Sequence, residues 1–73
     1  MKILVENSTG LIKSVGYNYI VFDNSIAVIE NNNLEDVILN LNSNNSSVYE
    51  VDYDFIDYEV DTLKYIDGLV QEA

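Results

Sequence analysis

Residues 48–61 read VYEVDYDFIDYEVD. From Tyr49 to Phe55 the stretch alternates strictly: Tyr49, Val51, Tyr53 and Phe55 fall on one parity, Glu50, Asp52 and Asp54 on the other. Successive side chains of a strand point to opposite faces, so a period of two predicts a half-buried β-strand with one packed and one wet face. The phase slips at the adjacent apolar residues Phe55 and Ile56, then resumes with Asp57, Glu59 and Asp61 against Tyr58 and Val60. A one-residue slip of this kind predicts a bulge or a turn. It divides the six carboxylates into two groups of three that need not share a surface.

Outward toward the C-terminus, Leu63–Ile66 and Leu69–Gln71 flank Asp67-Gly68. Asp-Gly between apolar runs suits a type I′ turn, so the chain closes in a hairpin. In the other direction, Asn42–Ser47 (NSNNSS) is a polar, low-complexity loop and the natural place for a hinge. Before it, Leu34, Val37, Ile38 and Leu41 stand at i, i+3, i+4 and i+7, the spacing of one helical face. Asn33 as N-cap, with Glu35 and Asp36 in the first turn, completes the case for a short helix over 34–41. A strand through Val37–Leu41 is the competing reading.

The first thirty residues read as two hairpins. Met1–Val5 and Leu11–Val15 are joined by the turn cluster Glu6–Gly10. Gly16 marks a bulge or tight connection. Tyr17–Phe22 and Ile26–Glu30, both rich in aromatic and β-branched residues, are joined through Asp23-Asn24-Ser25. The expected fold class is therefore mainly β: a small antiparallel sheet of hairpins with one short helix. The expected organisation is a single small domain over 1–73. It comprises a β-rich unit (1–41), the polar loop (42–47), and the acidic strand with its hairpin (48–73).

Composition narrows the chemistry. Seventy-three residues lie near the lower limit for an independent core, and no cysteine is present to staple one. Packing against other subunits is thus a natural source of stability. A hydrophobic content of 48% is too high for a disordered acidic tail, even at a net charge of −10. The same charge disfavours direct contact with nucleic acid or anionic lipid and favours a basic protein surface or cations. The N-terminal MKILVENSTG lacks a signal-like apolar run, and no stretch reaches a membrane-spanning length. Cytoplasmic synthesis and a soluble destination are expected.

With neither histidine nor cysteine, the usual nucleophile–base pairs cannot be assembled. A Ser–Lys pair would have to combine Ser14 with Lys2, Lys13 or Lys64, and no spacing supports it. Paired carboxylates could serve glycoside hydrolysis, but these sit on an outward strand face without a deep cleft. Asp52, Asp54 and Asp57 invite comparison with a calcium loop, yet Ile56, Asp57 and Leu63 occupy the positions where the EF-hand needs a ligand, glycine and glutamate. No catalytic residue, metal site or cofactor is assigned. The alternation itself accounts for the carboxylates, as a solvated face that keeps a tyrosine-rich chain soluble or blunts a strand edge. Tyrosine suits such half-buried strands and equally suits interfaces. The residues assigned to partner binding are Tyr49, Glu50, Asp52, Tyr53, Asp54, Asp57, Tyr58 and Glu59.

The stretch VYEVDYDFIDYEVDTLKYIDGLV resembles short proteins encoded beside tail-fibre and baseplate genes of tailed bacteriophages. The resemblance covers mainly residues 48–70. It rests on a V-Y-E-V-D-like acidic strand followed by K-Y-x-D-G-x-V, matched by Lys64, Tyr65, Asp67, Gly68 and Val70. Those proteins often carry a proline in the acidic segment, which this chain lacks. The resemblance implies a non-enzymatic structural or accessory protein of a phage particle, made in the host cytoplasm and located in the virion. Its partner would be a larger tail, baseplate or capsid subunit in an oligomeric context, with no direct nucleic-acid or membrane contact. The alternative is an acidic inhibitor that mimics DNA. A strand repeats a same-face carboxylate every ~6.7 Å, a row able to imitate phosphates toward a basic surface on a host defence or nucleic-acid-handling protein.

Overall fold

In the computed structural model, which describes residues 1–73, the order of elements follows from the run Ile3-Leu4-Val5. Three consecutive apolar residues can all be buried in a strand only if both faces of its sheet are covered. That is their situation: they are 0%, 0% and 4% exposed. They form the centre of β1 (Lys2–Glu6), which lies between β2 (Ile12–Gly16) and β6 (Ser46–Glu50) in an antiparallel sheet of order β2-β1-β6. A second antiparallel sheet, β3-β4-β5, contains β3 (Asn18–Val21), β4 (Ile26–Glu30) and β5 (Asn33–Ile38). The hairpin of β7 (Leu63–Ile66) and β8 (Leu69–Glu72) is the third piece.

The core is split by the central sheet. Leu4 packs on one side with Tyr19, Ile26 and Leu41, supported by Val28, Ile38 and Val48. Ile3, Val5 and Ile12 pack on the other with Val15, Val51, Phe55, Tyr58, Leu63, Tyr65 and Val70. One face of β2-β1-β6 thus carries the β3-β4-β5 sheet. The opposite face carries the hairpin together with the acidic segment. An isolated bridge between Leu11 and Lys64, and the bond from Tyr65 N to Gly10 O (2.9 Å), fasten the hairpin to the start of β2.

The mainly β fold class holds, and most strands fall where alternation and turn residues place them. The expected helix over 34–41 does not form. Residues 33–38 are instead strand β5, paired with β4 from Glu30↔Asn33 to Ile26↔Ile38. A register shift after Val28 leaves Glu35 as an extra residue in β5, opposite no partner. The bulge sets Leu34 and Val37 on the same face although they are three apart, as a helix would. Leu41, in the loop beyond, adds the fourth apolar residue. A bulged strand has imitated a helical period. Asn31 and Asn32, both with positive φ (51° and 63°), form a two-residue hairpin turn rather than leading to a cap at Asn33.

The expected strand from Tyr49 to Phe55 is also corrected: β6 ends at Glu50. Its partner β1 begins at Lys2, which faces Glu50, and the last ladder-like bond runs from Val51 N to Met1 O (2.9 Å). Beyond it, residues 52–55 have no neighbouring strand to pair with, so the backbone continues outside any ladder. The slip at Phe55-Ile56 is a turn with Asp57 at φ 52°.

Nor is 42–47 built as a hinge. Asn42 N donates to Asn45 Oδ1 (2.8 Å), Asn44 N to Asn42 Oδ1 (2.9 Å), and Asn45 Nδ2 to Asn40 O (3.1 Å). Asn7 N and Ser43 N bond Asn45 O and Phe22 O, each at 2.8 Å, and tie this joint to both sheets. Asparagine side chains readily replace backbone partners in this way.

The Asp67-Gly68 turn forms as expected, with φ of 54° and 80° between the paired residues Ile66 and Leu69. A Cβ on Gly68 would meet nothing within 4 Å, so only backbone conformation opposes a side chain there. Gly68→Ala is expected to cost about 1–2 kcal/mol. A urea titration checks this; no loss would mean that the turn relaxes to another type.

Candidate functional site

The eight residues assigned to partner binding all lie in β6 or the segment that follows it, but they do not form one surface. Tyr49, the penultimate residue of β6, lies on the face that holds Ile3, its cross-strand neighbour, and its ring lies 4.7 Å from that of Tyr65 on β7. Glu50 points to the other face and receives an ion pair from the amino group of Met1 at 3.0 Å. Past the end of the ladder, the apolar alternation survives as packing. Val51 and Phe55 turn into the core cluster under β1, while Asp52 and Asp54 are exposed. Tyr53 stays nearly half exposed and lays its ring 4.7 Å from Phe55.

Glu50, Val51, Asp52 and Tyr53 form one wall of an open groove of about 340 Å³. Tyr65, Gly68, Leu69 and Val70 of the hairpin form the other. Three of the assigned residues, Glu50, Asp52 and Tyr53, thus meet at one place. Tyr65, Leu69 and Val70 are lining residues absent from the sequence-based assignment. Their signal was the Asp-Gly turn, which makes Tyr65 and Val70 a cross-strand pair, though nothing in the sequence tells which way that pair faces.

Asp57, Tyr58 and Glu59 stand beyond the turn and outside this groove. Glu59 holds the next turn through its carbonyl, which accepts bonds from Thr62 N (3.3 Å) and Thr62 Oγ1 (2.6 Å). Tyr58 is half-buried: its hydroxyl donates to Ile12 O, and its ring meets Phe55 edge-on at 6.1 Å. Lys13, the extra residue where β1 and β2 slip register, reaches across to Asp61 at 2.7 Å. Tyr58 and this ion pair pin the acidic segment to β2. Their role is to position it.

Burial pushes the Tyr58 phenol up to about 12, with the Asp61 carboxylate and Tyr19 adding to the shift. Burial also raises Tyr19, partly offset by its 2.8 Å hydrogen bond with Ser14 Oγ. An unfolded tyrosine titrates near ~10. Both phenols therefore stabilise the fold below pH ~10; the contribution of Tyr58 is lost as pH rises toward about 12, and that of Tyr19 as pH rises above ~10. Stability is expected to fall across this interval. Tyr58→Phe should flatten the fall while lowering stability at neutral pH by about 1 kcal/mol, the worth of one hydrogen bond. Denaturation midpoints measured at stepped pH check both signs.

No group of three acidic side chains converges closely enough to hold a metal ion. No protein-family model, curated protein or solved structure matches this chain. What the groove offers is an aromatic wall beside the exposed carboxylate of Asp52. This suits the stem and charged head of a lysine or arginine, through cation–π contact with Tyr53 or Tyr65 and a charge-assisted hydrogen bond to Asp52.

Proposed function

We propose that this chain is a non-enzymatic structural or accessory protein of a bacteriophage particle, binding a larger tail, baseplate or capsid subunit. The observation that supports it most is the groove between Glu50–Tyr53 and the β7–β8 hairpin. It lies inside the 48–70 stretch that resembles phage proteins, and it carries the tyrosines and acids suited to a basic neighbour. Charge of this kind at an interface rim tunes association rate and specificity more than affinity. The partner is then a protein surface presenting lysine or arginine.

The DNA-mimic alternative draws less from the geometry. The regular carboxylate spacing of a strand stops with β6 at Glu50, and the remaining acids diverge around the turn at Asp57.

Mass spectrometry of purified, salt-washed particles tests the proposal. The chain should be present at fixed stoichiometry. Its absence from particles, together with binding to a DNA-handling protein that DNA competes away, would transfer the case to the inhibitor. Neutralising Asp52 to Asn should weaken attachment to the particle, whereas neutralising Asp57 and Glu59 should leave it nearly unchanged.

A further inference from the structure

The β3-β4-β5 sheet packs one face on the central sheet through Tyr19, Ile26, Val28 and Ile38. Its other face has no partner. Cross-strand register puts Ile20 beside Ala27 and Val37, and Ile29 beside Leu34, all on that outer side. Phe22 continues the parity of Ile20 past the end of β3. None of these residues belongs to either core cluster. Ile20, Phe22, Leu34 and Val37 are 48%, 47%, 62% and 41% exposed.

We propose that this face pairs with the same face of a second copy, forming a two-sheet sandwich across a two-fold axis. Three observations lead to a second copy as the occupant. The first is charge. In a molecule of net charge −10, the outward positions of the sheet (Asn18, Ile20, Phe22, Ser25, Ala27, Ile29, Leu34, Val37) contain no ionisable group. Two such faces can meet without burying a carboxylate. The second is area. Ile20, Phe22, Leu34 and Val37, with Leu39 (78% exposed) just past the end of β5, are five large apolar side chains each at least 41% exposed. Isologous pairing covers both sets at once, so the apolar area removed from water is twice that of one copy. The third is the state of the edge. β5 carries a bulge at Glu35, and Asp36 lies on the inward side opposite Val28. A bulge and an inward charge oppose strand-to-strand addition. Association is directed to the face. The groove at Glu50–Tyr53 lies elsewhere and remains open in such a dimer, so this pairing stands or falls independently of the proposed partner.

Salt separates this dimer from contacts based on charge. Screening relieves repulsion between two acidic copies, so dimerisation should tighten as NaCl rises from about 0.05 to about 0.5 M. Sedimentation equilibrium on the purified chain should show a monomer–dimer equilibrium with that trend. Leu34→Glu, which places a charge in the exposed apolar face, should weaken the dimer at least about tenfold. Phe22→Ser should weaken it comparably, and it decides the matter if circular dichroism shows Leu34→Glu unfolded. Ile56→Glu, in the acidic segment, should leave dimerisation unchanged. A monomer at every salt and protein concentration up to about 1 mM overturns the proposal. So does a dimer that salt dissociates, or one that folded Leu34→Glu and Phe22→Ser leave intact.

Discussion

Leu4→Ala is expected to cost about 3–5 kcal/mol, the range for a fully buried leucine whose cavity cannot collapse. A chain of this length has about 4–10 kcal/mol in total, so much of the variant should be unfolded or close to it at room temperature. The reason lies in the position of Leu4. It is completely buried, sits on the central strand, and is the residue of β1 against which Tyr19, Ile26 and Leu41 assemble. Removing its side chain detaches the β3-β4-β5 sheet from its support. Urea denaturation followed by far-UV circular dichroism measures the loss, with Ile56→Ala, exposed and outside both clusters, expected to change stability by less than about 0.5 kcal/mol. A loss below about 1 kcal/mol at Leu4 would contradict the sandwiching of β1 between two packed layers.

Phe55→Ala should cost about 2–3 kcal/mol, less than a fully enclosed phenylalanine because Phe55 is only partly buried. Its consequence is more local and more informative. Phe55 joins the cluster of Ile3, Val5 and Ile12 and holds the rings of Tyr53 and Tyr58 on its two sides. Without it, the acidic segment has no ladder to fall back on, since pairing ends at Val51. Limited proteolysis should cut within 52–61 much faster in the variant than in the parent, while sites in β3-β4-β5 keep their protection. Uniform loss of protection across the chain would show instead that the segment cannot loosen alone.

These two residues illustrate what could be read before the structure was known. Ile3-Leu4-Val5 already indicated a strand, and the Asp67-Gly68 hairpin was legible because both the turn and its flanks are local. The β5 strand was misread because its apolar spacing combines a bulge with a loop residue, and the bulge depends on pairing with β4. The acidic stretch was misread for the reverse reason. Its alternation is real, and Val51 and Phe55 do turn inward, but a strand needs a neighbour, and β1 supplies none beyond Met1. At the candidate site, Glu50, Asp52 and Tyr53 were legible as polar and aromatic residues in one run. Their opposite wall was not, because Tyr65, Leu69 and Val70 come from a hairpin whose placement is set by contacts with Gly10 and Leu11, more than fifty residues away. Tyr58 shows the same limit: its partner is the Ile12 carbonyl.

The pairing of β1 with β6 also governs how the molecule is made. Lys2 meets Glu50, so the central strand lacks one neighbour until residue 50 has been made, and its second face stays uncovered until the hairpin arrives. Ladders between residues this distant carry a loop-closure cost before any contact repays it, and such topologies fold slowly for their size. During synthesis, Ile3 and Val5 are made well before the residues at 51–70 that bury them. The growing chain therefore exposes its most deeply buried strand until late in translation. The residues that finally cover it, Val51, Phe55, Tyr58 and the hairpin's Leu63, Tyr65 and Val70, are interleaved with the carboxylates that keep their own outer side in water.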